Sequence, residues 1–142
     1  MGVLAQAEEH LRRGELAGAL SALQNAVRAN PADAKLRTFL FQLLCVLGQW
    51  DRATTQLNVV SEMDAKALAM KQMYGDALQC EALRAKVFAG EKAPMVFGYP
   101  DEWLALLIEA LLTEGRGQAA EAAPRRSPAF EGAPATSGKI DD

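Results

Sequence analysis

Histidine, cysteine and long apolar runs are scarce in this sequence. The single His10, set between Glu9 and Leu11, has no second imidazole with which to share a metal and suits a surface or half-buried structural role. Cys45 and Cys80 stand 35 positions apart without CxxC spacing, so buried, reduced thiols are expected rather than a zinc site or a redox pair. The longest apolar stretches, TFLFQLLCVLG and WLALLIEALL, fall short of the roughly 20 residues that a membrane-spanning helix requires. Aromatics make up only 6% of the chain, which argues against a β-sandwich and for an Ala- and Leu-rich helical protein. A net charge of -3 with scattered Lys and Arg offers nucleic acid no attracting surface.

Signatures of catalysis are missing as well. The GRG at 115–117 lacks the following Lys-Ser/Thr and the preceding strand of a phosphate loop, and no GxSxG elbow occurs. Adjacent acidic pairs such as Glu8-Glu9 and Asp101-Glu102 splay apart around a helix instead of converging on a substrate. No catalytic, cofactor-binding or metal-ligating residue is therefore expected. The opening MGVLAQAEEHLRRGE has no basic segment leading into an apolar one, so no secretory signal is read and a cytoplasmic location is expected.

A repeat dominates what is present. GELAGALSALQNAV begins at Gly14 and GQWDRATTQLNVV begins at Gly48, an offset of 34 residues that also pairs Ala19 with Ala53, Leu23 with Leu57 and Ala26 with Val60. A period near 34 is that of the tetratricopeptide repeat, a helix–turn–helix unit that buries its apolar face by stacking on its neighbours. Each matched letter has a steric role. The glycines suit the left-handed residue past a helix end, the alanines permit close helix crossing, and the leucines continue the i, i+4, i+7 stripe. Leu16 and Trp50 share an apolar slot two positions after each glycine, and Trp50 and Trp103 both read as core residues. Pro31 stops the second helix. Helices are predicted at 2–13, 17–29, 33–47 and 51–63.

Further along, DAKALAMKQMYGDALQCEALRAKVFAG predicts a fifth helix, with Leu68, Met73, Ala77, Cys80, Leu83, Ala85, Val87 and Phe88 set among polar residues. EKAPMVFGYP is a loop whose Met95, Val96, Phe97 and Tyr99 are expected to tack it onto the helices. DEWLALLIEALLTEG makes a sixth helix with acidic residues at its positive end. A third repeat can be laid on Gly117, Ala122 and Pro134, but Pro124 and Pro128 are expected to interrupt its second helix. The expectation is an all-α, tetratricopeptide-like α-solenoid of about six helices over 1–113. A degenerate last helix and a partly helical or disordered tail would occupy 114–142.

In tetratricopeptide architecture the first helix of each pair lines the concave face. That face is predicted to include Leu4, Glu8, Leu11 and Arg12 in the first unit, and Lys35, Thr38, Phe39, Gln42, Cys45 and Val46 in the second. Capture of a terminal carboxylate would need converging Lys and Asn side chains, and Leu4, Glu8 and Phe39 stand in those places. A mostly apolar groove with a few charges suits an amphipathic helix instead. The competing reading makes Phe39, Cys45 and Val46 plain core, covered by the fifth helix or by the MVFGY loop.

At AVRANPADAKLRTFLFQLLCVLGQWDRA, and again at LQCEALRAKVFAGEKAPMVFGYPDEWLALLIEALL and APATSGKID, the sequence resembles the ImpE family, also called SciE-type or TagJ proteins, accessory components of bacterial type VI secretion. The resemblance implies a tetratricopeptide-like N-terminal domain and a cytoplasmic role beside the contractile sheath. It also implies binding to a helix of the small sheath subunit, and a link to the ATPase that recycles the sheath. Members of the family continue past ATSGxID into a second, β-containing domain where this chain stops at Asp142, and PRRSPAFEG breaks a stretch that is elsewhere an Ala-rich helix.

The function expected is a non-enzymatic adaptor that binds a protein helix through Leu4, Leu11, Lys35, Thr38, Phe39, Gln42 and Val46. Two alternatives stay open: a general self-associating tetratricopeptide scaffold, and a positioning domain for a missing C-terminal functional domain. No membrane or nucleic-acid partner is expected.

Overall fold

The computed structural model describes residues 3–139. All regular structure among them is helical: α1 (Val3–Arg12), α2 (Leu16–Ala29), α3 (Ala34–Val46), α4 (Trp50–Met63), α5 (Ala67–Phe88), α6 (Glu102–Gly115) and α7 (Ala119–Gly132). The chain forms two compact units, one ending at Ala82 and the other beginning at Leu83.

In the first unit α1 pairs with α2, α3 pairs with α4, and α2 packs on α3. The sequence repeat is visible as a repeated helix stop. Gly14 has a φ of 72° and Gly48 a φ of 67°. At the first stop the Gly14 N–H donates to the Leu11 carbonyl at 2.9 Å and the Glu15 N–H to the His10 carbonyl at 2.8 Å. The Gly48 N–H donates to Cys45 at 3.1 Å and the Gln49 N–H to Leu44 at 2.9 Å, the same paired closure one repeat later. An L-residue with a side chain disfavours this left-handed backbone, so glycine sets where the chain reverses. At the start of α3, Asp33 supplies a cap: its Oδ1 accepts from Lys35 N–H at 2.9 Å and Leu36 N–H at 3.1 Å.

Reversal at these points brings the matched side chains into one core. Ala19 and Ala53 are completely buried, as are Leu23 and Leu57 to within 1%. Each such leucine contributes about 2 kcal/mol when fully removed from water. Leu36, Leu40, Leu43 and Leu44 of α3 complete the cluster, and Leu16, Trp50 and Phe39 pack against it while half-buried. Arg37 crosses between elements, its Nε donating to the Pro31 carbonyl at 2.7 Å and its guanidinium to Gln56 Oε1 at 3.0 Å.

Helix α5 adds Leu78 to this core and sets Tyr74 against Phe41 with ring centroids 6.0 Å apart. Its other apolar residues are less committed. Leu68, Met73, Cys80 and Phe88 are exposed, so the expectation of two buried thiols is corrected: Cys45 is half-buried and Cys80 faces solvent. The reason is that Ala67, Leu78 and Val87 are the buried positions of this long helix, leaving most of its circumference wet.

The second unit contains a further hairpin, α6 with α7, in which α7 is the degenerate last helix expected after residue 113. Its turn repeats the earlier geometry. Gly117 takes a φ of 83°, its N–H donates to Glu114 at 2.8 Å, and the Gln118 N–H donates to Thr113 at 3.1 Å. Ala122, five residues after Gly117 as Ala19 is after Gly14, is completely buried, and Ala129 is buried where Ala26 and Val60 stand in the earlier units.

Pro124 and Pro128 do not interrupt α7 as expected. Spaced four residues apart, they share one face of the helix, nearly opposite Ala122 and Ala129, and both are exposed. The carbonyls they leave without an intrahelical donor therefore face water, which removes the main cost of a buried break.

The loop before α6 also departs from expectation. Rather than tacking onto the helices, Met95 is 74% exposed, Phe97 94%, and Tyr99 essentially wholly so. Pro94, Pro100 and the positive φ of Gly98 shape this segment so that Met95, Phe97 and Tyr99 are exposed, while Val96 alone of the four is half-buried. Trp103 is half-buried beside Leu106, Pro128 and Gly132.

Candidate functional site

On α3 the residues Lys35, Thr38, Phe39 and Gln42 recur at spacings of 3, 1 and 3, which places them along one stripe of the helix. That stripe lies beside the leucine face that enters the core. Where α4 ends and α5 begins, the chain turns tightly: the Lys66 N–H donates to Asp64 Oδ1 at 2.9 Å and the Ala67 N–H to the Asp64 carbonyl at 2.9 Å. This turn presents Lys66, Ala67 and Met70 toward the α3 stripe.

The result is a groove of about 370 Å³ within the first unit. One wall is Lys35, Thr38, Phe39 and Gln42 of α3, the other is Lys66, Ala67 and Met70, and Val60 of α4 and Asp64 just past its end also line the groove. Its floor is apolar, because Phe39 and Met70 each give one side to the core and the other to the groove. The rim is polar. Thr38 Oγ1 donates to the Ala34 carbonyl at 2.8 Å, which leaves its oxygen able to accept.

Of the seven residues that the sequence puts on a binding face, the structure brings Lys35, Thr38, Phe39 and Gln42 together. Val46 continues the stripe one turn beyond the groove and is 71% exposed. Leu4 is 41% exposed on α1, and Leu11 is half-buried against the core; neither lines this groove. The sequence reading misses Val60, Asp64, Lys66, Ala67 and Met70. Their only local signal is the Asp-x-Lys that starts a new helix directly after α4.

Cys45 lies one turn from the groove's end, and burial pushes its thiol above the ordinary range. His10 donates through Nδ1–H to Glu15 Oε2 at 2.6 Å, a surface contact of the first hairpin. Among the described residues no three His, Cys, Asp or Glu side chains are grouped so as to hold a metal ion, and no helix is long and apolar enough to cross a membrane.

Paired helices closed by glycine, crossing at alanine and leaving an open groove, define a tetratricopeptide-like helical-repeat protein. The tetratricopeptide repeat family matches residues 10–76, which take in α2, α3, α4 and the start of α5. More particularly the chain is TagJ-like: it is 54% identical over 138 residues to the type VI secretion system accessory component TagJ of Pseudomonas aeruginosa. That alignment covers 96% of this chain and 48% of the relative, so the chain spans about half the length of the curated relative it matches.

Proposed function

We propose that this chain is a non-enzymatic adaptor of bacterial type VI secretion whose α3/α5 groove holds one amphipathic helix of the small sheath subunit. The observation that carries the reading is the groove itself. Phe39 and Met70 offer an apolar floor between two helices, and Lys35, Thr38, Gln42 and Lys66 rim it with groups able to orient a ligand. A helix laid there buries its apolar stripe without requiring either wall to unfold. The TagJ-like character of the chain supports the secretion setting and a cytoplasmic location. A link to the sheath-recycling ATPase belongs to the same proposal, and it would pass through the bound sheath subunit.

The test is calorimetric titration of the purified chain with purified small sheath subunit. Binding is expected for the wild type and is expected to be lost in Phe39→Glu, with Leu4→Glu unchanged because Leu4 lies outside the groove. Circular dichroism of each variant checks that the fold persists. Equal binding by a folded Phe39→Glu protein would remove the groove from consideration.

A further inference from the structure

Two charges in the groove are unspent. Lys35 and Lys66 stand on facing walls, Lys35 in the first turn of α3 and Lys66 immediately before α5, and among the described residues neither ammonium has an ion-pair partner. The Lys66 main-chain N–H is used by Asp64, but its side chain is not. Asp64 is the sole carboxylate lining the groove, so the lining carries one net positive charge, in a chain whose overall charge is -3. Two turns further along α3 the polar group is the neutral amide of Gln42, and one turn along α5 the lining residue is the apolar Met70.

We infer that the helix bound in this groove carries carboxylate side chains at one end of its apolar stripe, and that Lys35 and Lys66 pair with them. The inference rests on the groove reading above and deepens it. A carboxylate-bearing end gives the two ammoniums close counter-charges, of which the groove lining itself supplies only Asp64. The neutral Gln42 end gives no such reward, so the ligand is held in one direction. Both lysines are exposed, so their pairing contributes direction and association rate more than affinity. A ligand helix with lysines at the same positions is disfavoured by like charge.

Fluorescence anisotropy with three probes separates the possibilities: the purified small sheath subunit, and two synthetic amphipathic helices sharing one Leu/Ala stripe, with Glu or with Gln at one end. The Glu peptide is expected to bind wild type about fivefold more tightly than the Gln peptide. Lys35→Gln with Lys66→Gln is expected to erase that difference and to weaken the sheath subunit by a similar factor, with the loss falling on the Glu peptide far more than on the Gln peptide. Added salt is expected to narrow the difference in wild type. If the sheath subunit binds wild type and the double variant equally, at any salt concentration, carboxylate pairing is wrong while the groove reading survives. If no probe binds wild type, the groove reading fails and this inference falls with it.

Discussion

Gly115 and Gly90 meet backbone to backbone in the second unit. A side-chain carbon added at Gly115 would lie 2.4 Å from the Phe88 carbonyl oxygen and 2.5 Å from the Gly90 nitrogen. One added at Gly90 would lie 2.6 Å from the Leu112 carbonyl oxygen, and Gly90 already holds a φ of 73°. Arg116 closes the junction, its Nε donating to the Gly90 carbonyl at 3.0 Å.

Because the neighbours at this junction are main chain and cannot rotate aside, Gly115→Ala is expected to destabilise by about 2 kcal/mol or more. Arg116→Ala, which removes one hydrogen bond and leaves the contact intact, is expected to cost about 1 kcal/mol. Urea unfolding followed by circular dichroism measures both. A Gly115→Ala protein as stable as wild type would show that the two backbones do not meet.

The prolines of α7 make a prediction of opposite sign. Pro128→Ala restores an N–H aimed at the Pro124 carbonyl, and Pro124→Ala restores one aimed at Ala120, both on the wet face. Each substitution is expected to stabilise by about 1 to 3 kcal/mol and to raise helical ellipticity. A loss of stability would mean that α7 relies on the proline rings.

Gly18 and His10 form a coupled pair, since a carbon added at Gly18 would fall 2.6 Å from His10 Nδ1. Gly18→Ala alone should gain little, because helix propensity is offset by displacing the ring from Glu15. With His10→Ala also present, the same substitution is expected to gain about 1 kcal/mol. A double-mutant cycle by thermal unfolding reads the coupling directly, and strict additivity would contradict the contact.

Thiol labelling distinguishes the cysteines. Cys80 is exposed, whereas Cys45 is half-buried and its thiol is shifted upward by desolvation. Alkylation at neutral pH, followed by mass spectrometry, is expected to modify Cys80 about tenfold faster than Cys45.

The hairpins are legible in the sequence because their requirements are steric and local. A left-handed stop selects glycine at 14, 48 and 117, and a close crossing selects alanine at 19, 53 and 122. The α3 wall of the groove is legible for a similar reason, since Lys35, Thr38, Phe39 and Gln42 follow helical spacing. The facing wall is not. Lys66, Ala67 and Met70 reach the groove through the angle at which α5 leaves Asp64, and that angle is set by tertiary packing. Leu4 and Leu11 share the apolar character of groove residues without their position. The loop at 95–99 shows the same limit from the other side, for composition marks Phe97 and Tyr99 as apolar but does not say which way they point. Pro124 and Pro128 show that a helix breaker has to be judged by the face it occupies as well as by its identity.

The helix partnerships of α1 with α2, α2 with α3, α3 with α4, and α6 with α7 all join elements that follow one another in the chain. Short separations between partners make loop closure inexpensive in entropy, and helical proteins organised this way fold on the order of microseconds to milliseconds. Each hairpin can therefore assemble as soon as its second helix leaves the ribosome, before the remainder has been synthesised.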